Sequence, residues 1–290
     1  MSAAETGEKK IKMKTLLIGR GHLGMFLKSR LDVPDNMHYT GELADVVVAP
    51  DTDLVVNTAG KTSLEWCEAN QAETFRSNVI APLAAFRSFK SRVHYKTSLF
   101  VHISSGCVWD GPFPRVGLGF TPTDPVVPAC FYSWTKACCD ALLLRESAGW
   151  NLAILRPRQV YSPIDSPRNT LTKLMRYPKL IDTTNSMTSA ETIAKTIERL
   201  IEYPAHVKGG RIVNVYDTET ITPYDVGCML ADFNLRFQPE KISKETLDET
   251  LKPRRVDTVL EDRWFEDLVK PPCIADELRR VIEEFKEARK

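Results

Sequence analysis

The chain has 290 residues, 43% of them hydrophobic, and its 39 Lys and Arg nearly cancel 38 Asp and Glu to leave a formal net charge of +1. Such a balance indicates neither a nucleic-acid groove nor an anionic membrane surface as the basis of function, and no apolar run approaches the roughly 20 residues of a membrane span. Seven cysteines without regular spacing argue against a disulfide framework and for a reducing, cytoplasmic setting.

This length suits one large α/β domain or a nucleotide domain with a smaller lobe. Residues 1–14 lack the apolar stretch of a signal peptide and read as a disordered lead-in. Thr15 to Ile18 is a short apolar strand, followed at once by Gly19-Arg20-Gly21-His22-Leu23-Gly24 and a helix-like stretch to Arg30. G-x-G-x-x-G between strand and helix predicts dinucleotide binding. The first two glycines let backbone approach a pyrophosphate, the third lets helix pack on strand, and the helix N-terminus favours the anion.

The next part is abbreviated. Only Met37 to Thr40 could form the second strand, with Asp45 close behind it as the acidic residue available to the cofactor. No obvious ribose-binding acid ends that strand, and Arg20 lies inside the glycine turn. Both features favour NADPH, with NADH as the alternative. Asp53 to Gly60 then reads as a buried strand whose small end, Thr58-Ala59-Gly60, leaves room for a cofactor ribose and nicotinamide. Leu83, Phe86 and Phe89 recur at helical spacing and are expected in the core. Asn78, an amide among apolar neighbours, needs a partner and is grouped with the cofactor contacts.

Leu99 to Ile103 is another strand, ending in Ser104-Ser105-Gly106-Cys107. A Pro-rich loop leads to a helix predicted over about 131–147, in which Tyr132 and Lys136 stand four apart on one face. A phenol beside an ammonium, with a hydroxyl close by, can pass a proton to a ketone as it accepts hydride. Asn151 to Leu155 is the next strand, and Arg156 and Arg158 at its end suit an anionic substrate. Alternation of strands and helices predicts an α/β fold: a Rossmann-like parallel sheet with helices on both faces.

The dinucleotide-binding core is therefore placed over 15–163, and 164–290 is expected to form mainly a smaller substrate-binding lobe with returning core elements. A short helix is predicted over Thr170 to Arg176, an irregular polar stretch over Pro178 to Thr188, and an amphipathic helix over Ser189 to Tyr203. A strand at Arg211 to Val215 and a helix to about Phe233 follow. A charged connection containing Pro253-Arg254-Arg255 then leads to a closing helix from Ile274. Scarce histidine leaves no plausible zinc constellation, so no metal is expected.

G-x-G-x-x-G, Asn57-Thr58-Ala59-Gly60, Ser104 to Cys107, Tyr132-Ser-Trp-Thr-Lys136 and Leu155-Arg-Pro157 make the chain resemble an extended short-chain dehydrogenase/reductase. More narrowly it resembles the dTDP-4-dehydrorhamnose reductase branch, and within it the UDP-4-keto-6-deoxyglucose 3,5-epimerase/4-reductases of rhamnose synthesis. The narrower likeness rests on four segments, residues 66–79, 105–109, 167–173 and 177–188.

The resemblance implies Tyr132 as the proton donor, Lys136 as the residue that lowers its pKa and touches the nicotinamide ribose, and Ser105 or Ser104 on the substrate oxygen. It further implies Cys107 and Lys173 as the epimerising pair. Arg156, Arg158, Asn169 and Asn185 are expected, with Cys107 and Lys173, to contact a nucleotide-diphosphate sugar. The glycine turn is one residue tighter than is usual in this branch. The expected activity is 4-keto reduction, with 3,5-epimerisation in the same site, and a homodimer is compatible with it. The rival expectations are a silent nucleotide-binding module, resembling the regulatory subunit of methionine adenosyltransferase, and a 4-reductase or 4-epimerase for another sugar.

Overall fold

A computed structural model describes residues 13–39, 46–94, 97–111, 113–115, 118–233 and 237–289. Its centre is a parallel sheet built from β1 (Thr15–Ile18), β2 (His38–Tyr39), β3 (Leu54–Asn57), β4 (Leu99–Ile103), β5 (Asn151–Pro157) and β9 (Arg211–Val215), in the order β2-β1-β3-β4-β5-β9. The second strand is indeed a two-residue stub, pairing Leu17 with His38 and Ile18 with Tyr39. Since β2 and β3 flank β1 on opposite sides, strand order reverses at β1. A crevice opens there beyond the strand ends, the usual ligand position in open α/β sheets.

Both faces of the sheet are covered, which is why its strands read as unbroken apolar runs. Leu17, Val56, Val101 and Leu155 face one layer, packed with Leu27 of α1 (His22–Arg30), Ile193 and Ile197 of α7 (Ala190–Glu202) and Phe265 of α10 (Arg263–Val269). Their neighbours Ile18, Val55, Phe100 and Ile154 face the other layer. There they meet Phe86 and Phe89 of α4 (Ala81–Arg92) and Leu143 of α5 (Phe131–Glu146). Both phenylalanines are fully buried, and each such side chain stabilises the fold by roughly 1.5–3 kcal/mol.

A third apolar cluster lies apart from the sheet. It joins Tyr161 of β6 (Val160–Tyr161), Leu171 of α6 (Thr170–Leu174), Leu180 of β7 (Lys179–Ile181), Leu230 of α8 (Pro223–Phe233) and Leu278 of α11 (Ile274–Glu287). The stretch 178–188, expected to be irregular, contains β7 and the start of β8 (Thr188–Ser189). β7 pairs in parallel with β10 (Glu240–Ile242), inside the segment read as a charged connection, which also carries α9 (Lys244–Thr250). These strands are three residues long, with exposed lysine and glutamate, so they lack the apolar signature of buried strands.

Candidate active site

Ser104, Ser105, Cys107, Tyr132, Lys136 and Lys173 all line one cleft of about 1030 Å³ over the carboxyl ends of the strands. The sequence brings them there by three routes. β4 delivers the serines and Cys107, α5 delivers Tyr132 and Lys136, and α6 delivers Lys173.

One end of the cleft is the glycine turn. Gly19 has φ +108°, a conformation that side chains rarely adopt, and a Cβ on Gly24 would collide with the Gly19 carbonyl. Gly21, His22, Leu23 and Gly24 line the cleft; Gly19 is buried beneath the turn. Arg20, expected among the cofactor contacts, is exposed and outside the cleft, because the turn directs it to solvent. Asp45 lies outside the described residues. Thr58 Oγ1 donates to the Ile18 carbonyl at 2.9 Å, tying β3 to β1 beside Ala59 and Gly60 on the cleft wall. A bare backbone turn whose space a Cβ would fill, opening at a helix N-terminus, fits a dinucleotide pyrophosphate.

Asn78 has the partners its amide was expected to need but not the place among the cofactor contacts. It is fully buried in a wider π-type turn at Arg76–Ile80 and does not line the cleft. Its Oδ1 accepts from Lys61 N at 2.8 Å, and its Nδ2 donates to Lys61 O at 3.0 Å and to Thr135 Oγ1 at 3.2 Å. The amide therefore fixes the wall behind Gly60 by satisfying its backbone neighbours.

At the centre, Lys136 Nζ donates to the Ile103 carbonyl at 2.9 Å, and burial lowers the lysine's pKa. Burial pushes the Tyr132 phenol above its ordinary value, and Cys107 adds to the rise; a hydrogen bond with Ser105 works in the opposite direction. Lys136 was expected to act on the phenol; its hydrogen bond instead goes to the end of β4. Ser104 Oγ is buried on the cleft wall with no hydrogen-bond partner among the described residues, and Ser105 Oγ accepts from Cys107 N at 3.1 Å.

Beyond Tyr132 the cleft is basic. Burial lowers the pKa of Lys173, and Arg168 lowers it further. His22 is held down to about 4 by burial and then by Lys173, with Nε2 3.1 Å from Ser162 Oγ. Arg158 reaches the cleft and donates to Cys107 Sγ at 2.8 Å.

Three residues expected to contact substrate do not line the cleft. Arg156 is 3% exposed and pairs with Asp140 of α5 at 2.8 Å, with its guanidinium 4.9 Å from the Trp109 ring centre. Asn169 is sealed at the start of α6, where Oδ1 accepts from Leu171 N and Nδ2 donates to the carbonyls of Ser162 and Ile164. Asn185 is fully buried between Arg158, Asp257 and Thr258. Asn169 and Asn185 are thus satisfied inside the fold, as burial demands, and Arg156 is neutralised there by Asp140.

Sequence reasoning passed over Arg254, Arg255 and Asp257, all of which line the cleft. Arg255 forms an ion pair with Glu65 of α2 (Leu64–Ala69), and Arg254 one with Asp110. The signal was present as two adjacent arginines after Pro253. Among the described residues no group of acidic, histidine or cysteine side chains could hold a metal ion, and no helix is long and apolar enough to cross a membrane.

Comparison with known proteins agrees with this architecture. A bifunctional dTDP-4-dehydrorhamnose 3,5-epimerase/dTDP-4-dehydrorhamnose reductase of Arabidopsis thaliana is 35% identical over 142 residues, 46% of this chain and 45% of that protein. The matched part thus spans less than half the relative's length. The L780 UDP-rhamnose synthase of Acanthamoeba polyphaga mimivirus superposes with a TM-score of 0.79 at 20% identity, over 94% of this chain and 99% of that one. RMD of Pseudomonas aeruginosa, solved with NADPH, gives a TM-score of 0.70 at 18% identity over 95% and 98%. At such identities the likeness establishes a shared Rossmann-like fold. The sequence model of the NAD dependent epimerase/dehydratase family matches residues 30–186, and the chain belongs to that family.

Proposed function

We propose that the protein is an NADPH-preferring reductase of a nucleotide-diphosphate 4-keto-6-deoxysugar and a 3,5-epimerase of the same substrate, acting in a single cleft. The observation that carries this reading is that Ser105, Tyr132 and Lys136 share the cleft with Cys107 and Lys173. The glycine turn fits a dinucleotide, and both the UDP-rhamnose and dTDP-rhamnose relatives point to the substrate class. Arg254, Arg255 and Arg168 supply positive charge for its diphosphate. Seven free thiols suit a reducing, cytoplasmic setting.

Reduced nicotinamide, when bound, supplies the hydride for C4. Ser105 and Tyr132 hold the C4 oxygen, and Tyr132 donates the proton that completes the alcohol. Lys136, anchored on Ile103, holds the ribose side of the cofactor.

Before reduction the C4 ketone acidifies the hydrogens at C3 and C5. Inversion needs a base on one face of the sugar and an acid on the other. Burial increases the neutral fraction of Lys173, which takes the carbon-bound proton. The resulting enolate keeps its charge on the C4 oxygen, and Cys107 returns a proton to the opposite face. Convergence of this complete set weighs against a silent binding module.

The test is incubation with UDP-4-keto-6-deoxyglucose, or its dTDP counterpart, and NADPH. Folded protein that oxidises no NADPH with either substrate contradicts the reductase reading.

A further inference from the structure

Arg158 is 5% exposed, and the fold fixes its guanidinium on two sides. Nη2 donates to Asn185 Oδ1 at 2.9 Å and to the Val256 carbonyl. Asn185 is locked in turn, since its Nδ2 donates to Asp257 Oδ1 at 2.9 Å and its Oδ1 also accepts from Thr258 N at 3.0 Å. The backbone of Arg158 is pinned as well, with its N donating to Thr188 Oγ1 at 2.8 Å. Nη1 donates to Cys107 Sγ at 2.8 Å. Among the described residues no carboxylate forms an ion pair with Arg158, in contrast to Arg156 and its Asp140. A buried cation without an anion is costly, and the group placed to accept negative charge beside it is the sulfur.

These contacts also argue against the expectation that Arg158 binds an anionic group of the substrate. Both terminal nitrogens are engaged within the protein, and the buried Nε has no partner among the described residues.

We propose that Arg158 is the positioning residue for Cys107, aiming its sulfur at the sugar and taking up the charge left there during inversion. The proposal rests on the reading of Cys107 as the acid of epimerisation. In that step the carbon-bound proton moves to the Lys173 amine, and the electron pair it leaves forms the enolate. The S–H bond then breaks and a C–H bond forms on the opposite face. Sulfur keeps the electron pair as a thiolate beside the guanidinium. Proton exchange with water afterwards returns Lys173 and Cys107 to their starting forms, so no oxidant or further reactant is required.

The test compares wild type, Arg158→Gln and Arg158→Lys by two measurements. The first is deuterium uptake from solvent at C3 and C5 of UDP-4-keto-6-deoxyglucose and its dTDP counterpart without NADPH. The second is the rate at which iodoacetamide alkylates Cys107, followed by mass spectrometry of its peptide. Arg158→Gln is expected to lower the kcat of exchange by about 100-fold with KM within about twofold, and Arg158→Lys to recover about tenfold of that loss. Alkylation of Cys107 is expected to slow several-fold in Arg158→Gln and to recover in Arg158→Lys. Exchange within about threefold of wild type in Arg158→Gln, or a rise in KM at constant kcat, overturns the proposal. Equal losses in both variants with unchanged alkylation also overturn it. If wild type exchanges no deuterium with either nucleotide, the inversion reading fails. Alkylation then decides separately whether Arg158 governs the sulfur. Should Arg158→Gln fail to fold, Asp257→Ala, which removes the acceptor of Asn185 Nδ2, serves with the same readouts and a smaller expected loss.

Discussion

Lys136 Nζ and the Ile103 carbonyl, 33 residues apart, meet at 2.9 Å in the buried centre of the cleft. This bond locks α5 against the end of β4, so the phenol and the two serines cannot drift apart. Its consequence concerns Tyr132, which stands one helical turn before Lys136 and shares the cleft with Ser105. Tyr132→Phe keeps the ring and its burial but removes the proton. Reduction, followed by NADPH absorbance, is expected to fall at least ~100-fold with little change in melting temperature. Lys136→Met is expected to lose both activity and stability, because the Ile103 carbonyl is left buried without its donor.

The Arg156 and Asp140 pair is structural, with both side chains almost completely buried. Removing one partner strands the other charge, so Arg156→Met and Asp140→Asn are each expected to cost about 3–5 kcal/mol in urea unfolding. A substrate-binding arginine would instead show a raised KM at nearly unchanged stability. The double variant, combining both changes, is expected to be less destabilised than the sum of the singles.

Gly24 packs against Gly19, and a methyl group there has no space. Gly24→Ala is expected to abolish NADPH binding in fluorescence titration. It is also expected to lower stability by at least ~1 kcal/mol, since backbone must move to admit the Cβ. Arg20→Ala, at an exposed position off the cleft, is expected to change NADPH affinity by less than about threefold, within the screening of surface charges.

His22 supplies a pH dependence. Its pKa is held at about 4 in the folded protein against 6.5 for the ordinary side chain, chiefly by burial. Between these values the unfolded chain binds more protons, so stability is fully present above 6.5 and is lost as pH falls towards 4. The loss attributable to this residue reaches about 2.5 kcal/mol near pH 4.5. His22→Asn is expected to shrink the difference in unfolding free energy between pH 7 and that pH by a similar amount. An identical pH profile for the variant contradicts this origin.

Much of the sheet was readable because burial on both faces forces continuous apolar runs. Leu99–Ile103 and Arg211–Val215 coincide with their predicted strands, and the parallel order follows from alternation with helices. β7 and β10 escaped because each is short, half-exposed and charged, and is stabilised by a partner about 60 residues away that sequence cannot pair. At the cleft, spacing pointed to Tyr132 and Lys136 and the resemblance to Cys107 and Lys173, and all four line it. Neither could separate a polar residue that faces the cleft from one that satisfies the fold. Arg156 and Arg158 look alike in sequence, yet one meets Asp140 and the other Cys107. A signal for the first existed: Asp140 falls on the buried side of α5, one turn beyond Lys136, and a buried carboxylate requires a cation.

The proposed function requires one cleft both to invert and to reduce the same sugar. The most direct measurement incubates the protein in deuterium oxide with UDP-4-keto-6-deoxyglucose or its dTDP counterpart, with and without NADPH, and reads products by NMR. The expected result without NADPH is deuterium at C3 and C5; with NADPH it is a 4-hydroxy product of rhamnose configuration carrying the same label. In Cys107→Ala the label is expected to fall far more than the reduction of a substrate already inverted at C3 and C5. A reduced product without deuterium at either carbon contradicts the claim, and so does label that persists undiminished in Cys107→Ala.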